Sequence, residues 1–276
     1  MTITARASLA GVIGWPVAHS RSPLLHGTWL KRHGIDGAYL PLPIRPEDFA
    51  VCVAALARMG FVGANVTIPH KEAAFALCDE VAPSARRAGA VNTLVFRDGR
   101  MVGSNTDGVG FMANLRAHGV DPAAGPALVL GAGGAARPIG AALLDAGVVV
   151  HFCNRTEDRA ARLAATIGGG VIGWEDRAAA LGDHALVINT TSLGMAGHQS
   201  LTLDLARAPA GLAVADIVYV PLETPLLAAA RARGLRAVEG LGMLLHQAVP
   251  GFAAWFGVTP VVDEALYRVV AGDLLT

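Results

Sequence analysis

The sequence predicts an α/β protein of two domains, and three observations support this. Short apolar segments alternate with helical patterns along most of the 276 residues, as expected for βαβ units and a mainly parallel sheet. A glycine-rich loop follows one of these segments. The alternation starts again after residues 114–125. We therefore place a domain boundary there and regard the segment as a candidate hinge.

Composition limits the classes of function. Apolar residues make up 53% of the chain and aromatic residues only 5%, so we expect a core of Ala, Val, Leu and Ile. The 22 basic and 22 acidic residues balance, which argues against partners attracted by bulk charge, such as nucleic acid or a membrane surface. An apolar run of roughly 18 residues, as a membrane span requires, is missing.

Cysteine use is sparse. Cys52, Cys78 and Cys153 are odd in number and far apart, which is typical of reduced thiols in a cytoplasm. We predict a cytoplasmic location and no metal site.

In the first half, the predicted strands are residues 9–14, 39–44, 63–67, 92–96 and 100–104. Pro41 and Pro43 favour an edge position for the second strand. Arg97-Asp98-Gly99 is typical of a hairpin turn. Ser22-Pro23 predicts a helix start with Ser22 as its cap, and a further helix opens at Pro46.

In the second half, the predicted strands are residues 127–130, 148–153, 185–189 and 212–217. Helices are predicted from the glycine loop to residue 146 and from about Thr156. The last 35 or so residues have a helical pattern, with Trp255 and Phe256 as apolar anchors.

The glycine loop is the strongest local motif. It reads Gly131-Ala132-Gly133-Gly134-Ala135 and stands between a predicted strand and a predicted helix. Gly131 permits a tight turn, Gly133 lets the backbone approach a pyrophosphate, and Ala136 is small enough for helix–strand packing. The helix N-terminus offers N–H groups to phosphates. The motif predicts a dinucleotide site.

The end of the next strand indicates which dinucleotide. NAD sites place Asp or Glu about 20 residues beyond the loop, whereas this chain has Asn154-Arg155-Thr156 and Arg159. The two arginines suit a ribose 2′-phosphate, so the sequence favours NADP. The alternative is that they only solvate a helix start.

Three polar clusters follow predicted strands of the first half, where ligands gather in α/β sheets. The clusters contain Ser20 and Ser22, then Asn65, Thr67 and Lys71, then Asn92 and Asp107. Ser22 and Asp107 could be ordinary helix caps, and Lys71 could be a surface residue. However, a cation in the first turn of a helix is disfavoured by the helix dipole, which favours a functional Lys71. We interpret His70 as a packing or hydrogen-bonding residue.

Taken together, these motifs resemble the shikimate dehydrogenase family. The matching segments occur in the family's order along almost the whole chain and are residues 20–23, 65–71, 89–93, 105–108, 131–137, 154–156, 189–195 and 240–247. The family commonly has Ala at the position of Thr190, a difference from which we expect little effect.

The resemblance implies a substrate domain of residues 1–110 and 244–276 and a Rossmann NADP domain of residues 111–243. It implies Lys71 as the catalytic acid/base and Asp107 as its partner. It adds Tyr219 and Gln247 to the substrate-binding residues Ser20, Ser22, Asn65, Thr67, Asn92 and Asp107. It places Thr191, Ile217 and Gly240 beside the cofactor.

The implied activity is reversible NADPH-dependent reduction of 3-dehydroshikimate to shikimate, in the pathway to aromatic amino acids. A quinate/shikimate dehydrogenase accepting NAD is the nearest alternative, and a non-catalytic NADP-binding regulator is a remote one. Neither a nucleic acid nor a membrane is an expected partner, and a homodimer is compatible with the sequence.

Overall fold

Two six-stranded sheets, each with its own helices, account for the alternation of short apolar segments and helical patterns. The structure is a computed structural model that describes residues 3–275. Unit 1 holds the chain up to Thr106 together with Gln247–Val270, and unit 2 holds Asp107–His246 together with the residues from Ala271 onward. These divisions lie a few residues from the limits predicted for the domains, which stay a prediction.

Unit 1 is a mixed sheet with helices. Its strands are β1 (Ser8–Gly14), β2 (Gly37–Pro43), β3 (Phe61–Val66), β4 (Glu80–Val81), β5 (Thr93–Arg97) and β6 (Arg100–Ser104), in the spatial order β2-β1-β3-β5-β6-β4. Its first four helices are α1 (Ser22–Arg32), α2 (Phe49–Arg58), α3 (Lys71–Leu77) and α4 (Pro83–Ala88). The strands β1, β2 and β3 are parallel, and β5 is antiparallel to both β3 and β6.

Several local predictions for unit 1 are confirmed. The proline-containing β2 is an edge strand. Asp98 and Gly99 connect β5 to β6 with positive φ angles of 52° and 73°, as a two-residue hairpin turn requires. The predicted cap at Ser22 is wrong, because α1 begins at Ser22 itself and has no side-chain cap hydrogen bond.

Unit 2 is an all-parallel sheet flanked by helices. Its strands are β7 (Ala127–Leu130), β8 (Val150–Cys153), β9 (Gly170–Val171), β10 (Leu186–Asn189), β11 (Ala213–Asp216) and β12 (Arg236–Val238), in the spatial order β12-β11-β10-β7-β8-β9. Its helices are α5 (Asp107–Ala117), α6 (Ala136–Asp145), α7 (Glu157–Ile167) and α8 (Pro225–Ala232). The order reverses on either side of β7, and ligands bind α/β sheets at such a switch point.

The last two helices are α9 (Gly240–Phe256) and α10 (Glu264–Ala271). They confirm the helical prediction for the C-terminal segment. Trp255 is buried in unit 1, and its indole N–H donates to the Leu94 carbonyl at 2.9 Å. A Cβ at Gly63 would lie 2.1 Å from that indole nitrogen, so Gly63 makes room for the anchor.

Each unit has its own apolar core. In unit 1 it includes Ile13, Val53 and Leu94, and in unit 2 it includes Val129, Ile139 and Phe152 on one side of the sheet. Aliphatic residues predominate in both, as the composition predicts. Within residues 3–275, no helix combines the length and the apolar character needed to cross a membrane.

Candidate active site

The glycine loop turns the chain sharply after β7. Gly131 has a φ of +113°, and a Cβ there would meet the Thr190 hydroxyl at 2.6 Å. By contrast, a Cβ at Gly133 or Gly134 would have no neighbour within 4 Å. The predicted roles follow: Gly131 is needed for the turn, and the exposed backbone beyond it is open to a ligand.

The helix after the loop begins as a phosphate site requires. In α6 the first residue, Ala136, is fully buried, and no side chain caps the N-terminus. Pro138 is the third residue of the helix, where a missing N–H costs little. The first-turn N–H groups and the helix dipole therefore face the loop and favour an anion there.

A cleft of about 550 Å³ opens at this end of the unit 2 sheet. Eight of the predicted cofactor residues line it, namely Gly131, Ala132, Gly133, Asn154, Arg155, Thr156, Arg159 and Thr191. Gly134, Ala135, Ile217 and Gly240 are not among the residues that line it. The glycine loop and the end of β8 thus meet at one cleft.

The cleft is cationic. Arg155, Arg159 and Arg177 line it, and among its lining residues in the described chain none is acidic. Arg155 and Arg159 are exposed to solvent. Three guanidinium groups without a neighbouring carboxylate in the lining suit a phosphorylated ligand, because guanidinium binds phosphate through paired N–H donors.

Sequence reasoning missed Trp174 and Arg177. The Arg177 Cζ lies 4.4 Å from the centre of the Trp174 ring, and the guanidinium donates to the Thr202 carbonyl at 3.2 Å. An aromatic and a basic residue three positions apart were the available signal. They stand in an irregular segment beyond the two-residue strand β9, so no periodic pattern marked them.

A buried polar network stands behind the cleft. Asp216 accepts hydrogen bonds from the Asn189 amide at 3.0 Å, the Val218 N–H at 3.0 Å and the Thr224 hydroxyl at 2.8 Å. Burial raises the pKa of Asp216, and these hydrogen bonds oppose the shift. Asn189 also accepts from the Thr191 hydroxyl at 2.7 Å. The network therefore joins the end of β11 to Thr191, one of the predicted cofactor residues in the lining of the cleft.

Ile217 and Gly240 are neighbours at this end of the sheet. A Cβ at Gly240 would lie 2.4 Å from the Ile217 carbonyl oxygen. Tyr219 follows two residues after Ile217 and is half-buried. Thr190, where the family commonly has Ala, is nearly buried and donates to the Leu130 carbonyl at 2.7 Å, so its hydroxyl is satisfied inside the protein.

In unit 1 a second polar network surrounds Asn92. Its Oδ1 accepts from the Thr106 N–H and from the Thr93 hydroxyl, each at 2.9 Å. A backbone N–H can only donate, so these contacts fix the orientation of the amide. The Thr106 hydroxyl lies 3.3 Å from Gln247 Oε1. Two predicted substrate residues, Asn92 and Gln247, therefore belong to one buried cluster.

Asn65 is buried beside that cluster. Its amide nitrogen donates to the Asn92 carbonyl and to the Thr93 hydroxyl, each at 3.2 Å, and its Oδ1 accepts from the Tyr39 hydroxyl at 2.6 Å. Both amide hydrogens have protein acceptors. This geometry favours a supporting role for Asn65 over direct contact with a ligand.

Ser20 and Ser22 lie together at the start of α1. The Ser22 N–H donates to Ser20 Oγ at 3.3 Å, and Ser22 is buried. The helix already includes Ser22, so Arg21 and not Ser22 occupies the cap position of α1.

The predicted acid/base residues each begin a helix. Lys71 is half-buried at the first residue of α3 in unit 1, and Asp107 is buried at the first residue of α5 in unit 2. Thr67 follows β3 and is half-buried. His70 is a packing residue, as predicted, since it stacks on Phe49 with ring centres 4.6 Å apart and bonds the Ile44 carbonyl at 2.8 Å.

This parallel strand order, with a glycine turn and a cationic cleft at the strand ends, defines a dinucleotide-binding α/β protein. A family model described as the shikimate dehydrogenase substrate binding domain matches residues 12–94. A shikimate dehydrogenase (NADP(+)) of Acidiphilium cryptum is 78% identical over 100% of both chains. The chain belongs to the shikimate dehydrogenase family.

Solved structures agree with this assignment. Shikimate 5-dehydrogenase of Thermus thermophilus, in complex with NADP(H) and shikimate, has a TM-score of 0.88 and 38% identity, covering 97% of this chain and 99% of that one. Quinate dehydrogenase of Corynebacterium glutamicum, in complex with NAD, has a TM-score of 0.87 and 30% identity, covering 98% and 99%.

Proposed function

We propose that the protein is an NADP-dependent oxidoreductase that reduces 3-dehydroshikimate to shikimate, reversibly, in the shikimate pathway of aromatic amino-acid biosynthesis. The observation that carries the proposal is the full-length similarity to the Acidiphilium enzyme. The cleft and the polar cluster of unit 1 supply the residues through which each ligand would be held.

The cleft fits NADP. Gly133 leaves room for a pyrophosphate against the backbone, and the uncapped N-terminus of α6 favours its charge. Arg155 and Arg159 suit a 2′-phosphate, with Asn154 and Thr156 beside them. With no acidic residue in the lining of the described cleft, a main determinant of NAD preference is missing.

The proposed substrate site offers hydroxyl and amide groups for a carboxylate and ring hydroxyls. The residues that carry these groups are Ser20, Ser22, Thr67, Asn92, Tyr219 and Gln247. Asn92 has its Oδ1 fixed by Thr93 and Thr106, so its amide N–H groups point the other way and suit an acceptor oxygen. Asn65 holds this arrangement from behind.

In the proposed reaction the hydride and the proton come from different groups. Bound NADPH supplies a hydride to the ketone carbon. Lys71, as an ammonium, donates a proton to the ketone oxygen as negative charge develops there, and Asp107 orients the amine and accepts a hydrogen bond from a substrate hydroxyl. In the oxidative direction the neutral amine of Lys71 takes the proton back.

A four-way kinetic comparison tests the proposal. Shikimate and quinate are each assayed with NADP and NAD, and shikimate with NADP should give the highest kcat/KM. Quinate and NAD as the preferred pair would instead establish the alternative of a quinate/shikimate dehydrogenase. Binding of NADP without turnover of either acid would establish the non-catalytic regulator.

The expected partners are the small-molecule substrate and NADP. Balanced charge gives no basis for binding nucleic acid or a membrane surface. We assign the protein to the cytoplasm from its pathway and its thiols, and a homodimer is compatible with this assignment.

A further inference from the structure

We propose that Tyr39 and Thr93 are positioning residues, which set the substrate-holding side chains of unit 1 through the Asn65 amide. The inference rests on the proposed function. It concerns two residues that are not among the predicted site residues: Tyr39, which lies outside the matching motifs, and Thr93, which ends the 89–93 segment. It is carried by a continuous chain of hydrogen bonds from Tyr39 through Asn65 and Thr93 to Asn92.

Tyr39 stands at one end of this chain. It is 6% exposed, and its hydroxyl donates to Asn65 Oδ1 at 2.6 Å. The donor is unambiguous, because the other end of the Asn65 amide donates to the Asn92 carbonyl. The phenol hydroxyl is therefore fixed on the Asn65 amide, which in turn contacts Asn92, a predicted substrate ligand.

Packing fixes the phenol ring. His26 is fully buried and lies parallel to Tyr39, with ring centres 3.9 Å apart and an interplanar angle of 5°. Trp255 packs at 6.0 Å from Tyr39 on the ring centres. A ring held on these sides presents its hydroxyl in one direction, which is what preorganisation of the site requires.

Thr93 stands at the other end. Its hydroxyl accepts from the Asn65 amide at 3.2 Å and donates to Asn92 Oδ1 at 2.9 Å. It is 2% exposed, so no solvent can replace either contact. The direction of the Asn92 amide is thus tied through Thr93 and Asn65 to Tyr39.

A stabilising role and a positioning role for these hydroxyls predict different kinetic results. If these hydroxyls served stability alone, removing one would lower the resistance to urea and leave the Michaelis constants unchanged in the folded fraction. If they orient Asn92, removal weakens shikimate binding selectively, since the proposed NADP site consists of unit 2 residues.

The test is steady-state kinetics of Tyr39→Phe in the full-length protein. We expect KM for shikimate to rise five- to tenfold, as for loss of one buried hydrogen bond, and KM for NADP to stay within twofold. Tyr267→Phe makes the same change elsewhere in unit 1 and should alter neither constant. An unchanged KM for shikimate, or an equal rise in both constants, would overturn the inference.

A second measurement compares the effect of Tyr39→Phe in two backgrounds. In an Asn65→Ala background, Tyr39→Phe should raise KM for shikimate clearly less than it does in the wild type, because its Asn65 partner is already gone. Independent, multiplicative effects would contradict the proposal.

Thr93 keeps the proposal testable if Tyr39→Phe does not fold. Thr93→Val should raise KM for shikimate, and Thr93→Ser, which keeps the hydroxyl, should restore it. Failure of Ser to restore binding contradicts the assignment. Wild-type protein that does not turn over shikimate would refute the proposed function instead, so the two failures are distinguishable.

Discussion

The nucleotide cleft of unit 2 and the polar cluster of unit 1 are built in opposite ways. The cleft is lined by exposed backbone at Gly133 and by the exposed guanidinium groups of Arg155 and Arg159. The cluster uses neutral amides and hydroxyls, of which Asn65, Asn92 and Thr106 are all 6% exposed or less. In the proposed function, charge on an open surface would bind the cofactor, and oriented neutral dipoles would bind the substrate.

The difference has an energetic consequence. An exposed cation is screened by solvent and contributes little to stability, so it can be changed with an effect confined to binding. A buried hydrogen-bonded group leaves its partner unsatisfied when removed, which costs stability as well as function. The predictions below separate these two behaviours, and Lys71 lies between them because it is half-buried.

Loss of Lys71 should have the largest effect. Lys71→Ala removes the proposed proton donor, and we expect kcat to fall on the order of 100-fold or more, with KM for shikimate changed less. Initial rates in both directions measure it. Lys31→Ala, in the last turn of α1, is the control and should keep full activity.

Lys71→Arg sharpens this result. Arginine keeps the charge but does not release its proton at accessible pH, so we expect it to stay as impaired as the alanine variant. Activity restored by arginine would mean that charge alone is required, and wild-type activity in Lys71→Ala would reject the catalytic assignment.

Loss of Arg155 should have an intermediate effect confined to the cofactor. Arg155→Ala should lower kcat/KM for NADP ten- to thirtyfold, the loss of one charge-assisted contact to phosphate, while NAD kinetics and the urea midpoint stay unchanged. Arg162→Ala, an exposed residue of α7 that does not line the cleft, is the control. An equal loss with NAD would place Arg155 outside the 2′-phosphate site.

The two regions also differ in how much the sequence could predict. The predicted cofactor residues from Gly131 to Arg159 lie within one βαβ unit, so a local motif was enough to predict that the glycine loop and the end of β8 lie close together. The strands β4 and β9 have two residues each and are too short for a pattern. The Arg177 side chain enters the cleft from an irregular segment, which no periodicity describes.

In unit 1, the predicted site residues are held by contacts between residues far apart in the sequence. Thr106 and Gln247 are 141 positions apart, and Tyr39 and Asn65 are 26 apart. The motifs identified Asn65 and Asn92 as polar residues at strand ends, but not their order in a network. The cap predicted at Ser22 is wrong because α1 begins one residue earlier than the Ser-Pro pattern indicates, with Arg21 in the cap position.

The smallest effect we predict is on stability in acid, and it concerns His26 of unit 1. Burial lowers the pKa of His26 from 6.5 to about 3, against aromatic neighbours Trp29, Tyr39 and Phe252 that carry no charge. The unfolded chain therefore binds a proton that the folded chain refuses between pH 6.5 and about 3, and stability falls as the pH falls through that window. From pH 7.5 to pH 5.5 this residue should cost about 1.4 kcal/mol, a tenfold change in the unfolding equilibrium.

Urea denaturation of the wild type and of His26→Phe at the two pH values measures this loss. The phenylalanine variant keeps an aromatic ring beside Tyr39 without a titrating group, so its stability should fall less in acid. Burial also lowers the pKa of His151 in unit 2, so part of the wild-type loss of stability in acid does not come from His26. The decisive quantity is therefore the difference in this loss between the wild type and His26→Phe. His198→Phe changes an exposed imidazole of unit 2 and should retain the wild-type acid sensitivity. If His26→Phe loses stability in acid as steeply as the wild type, His26 is not the buried neutral group on which Tyr39 rests.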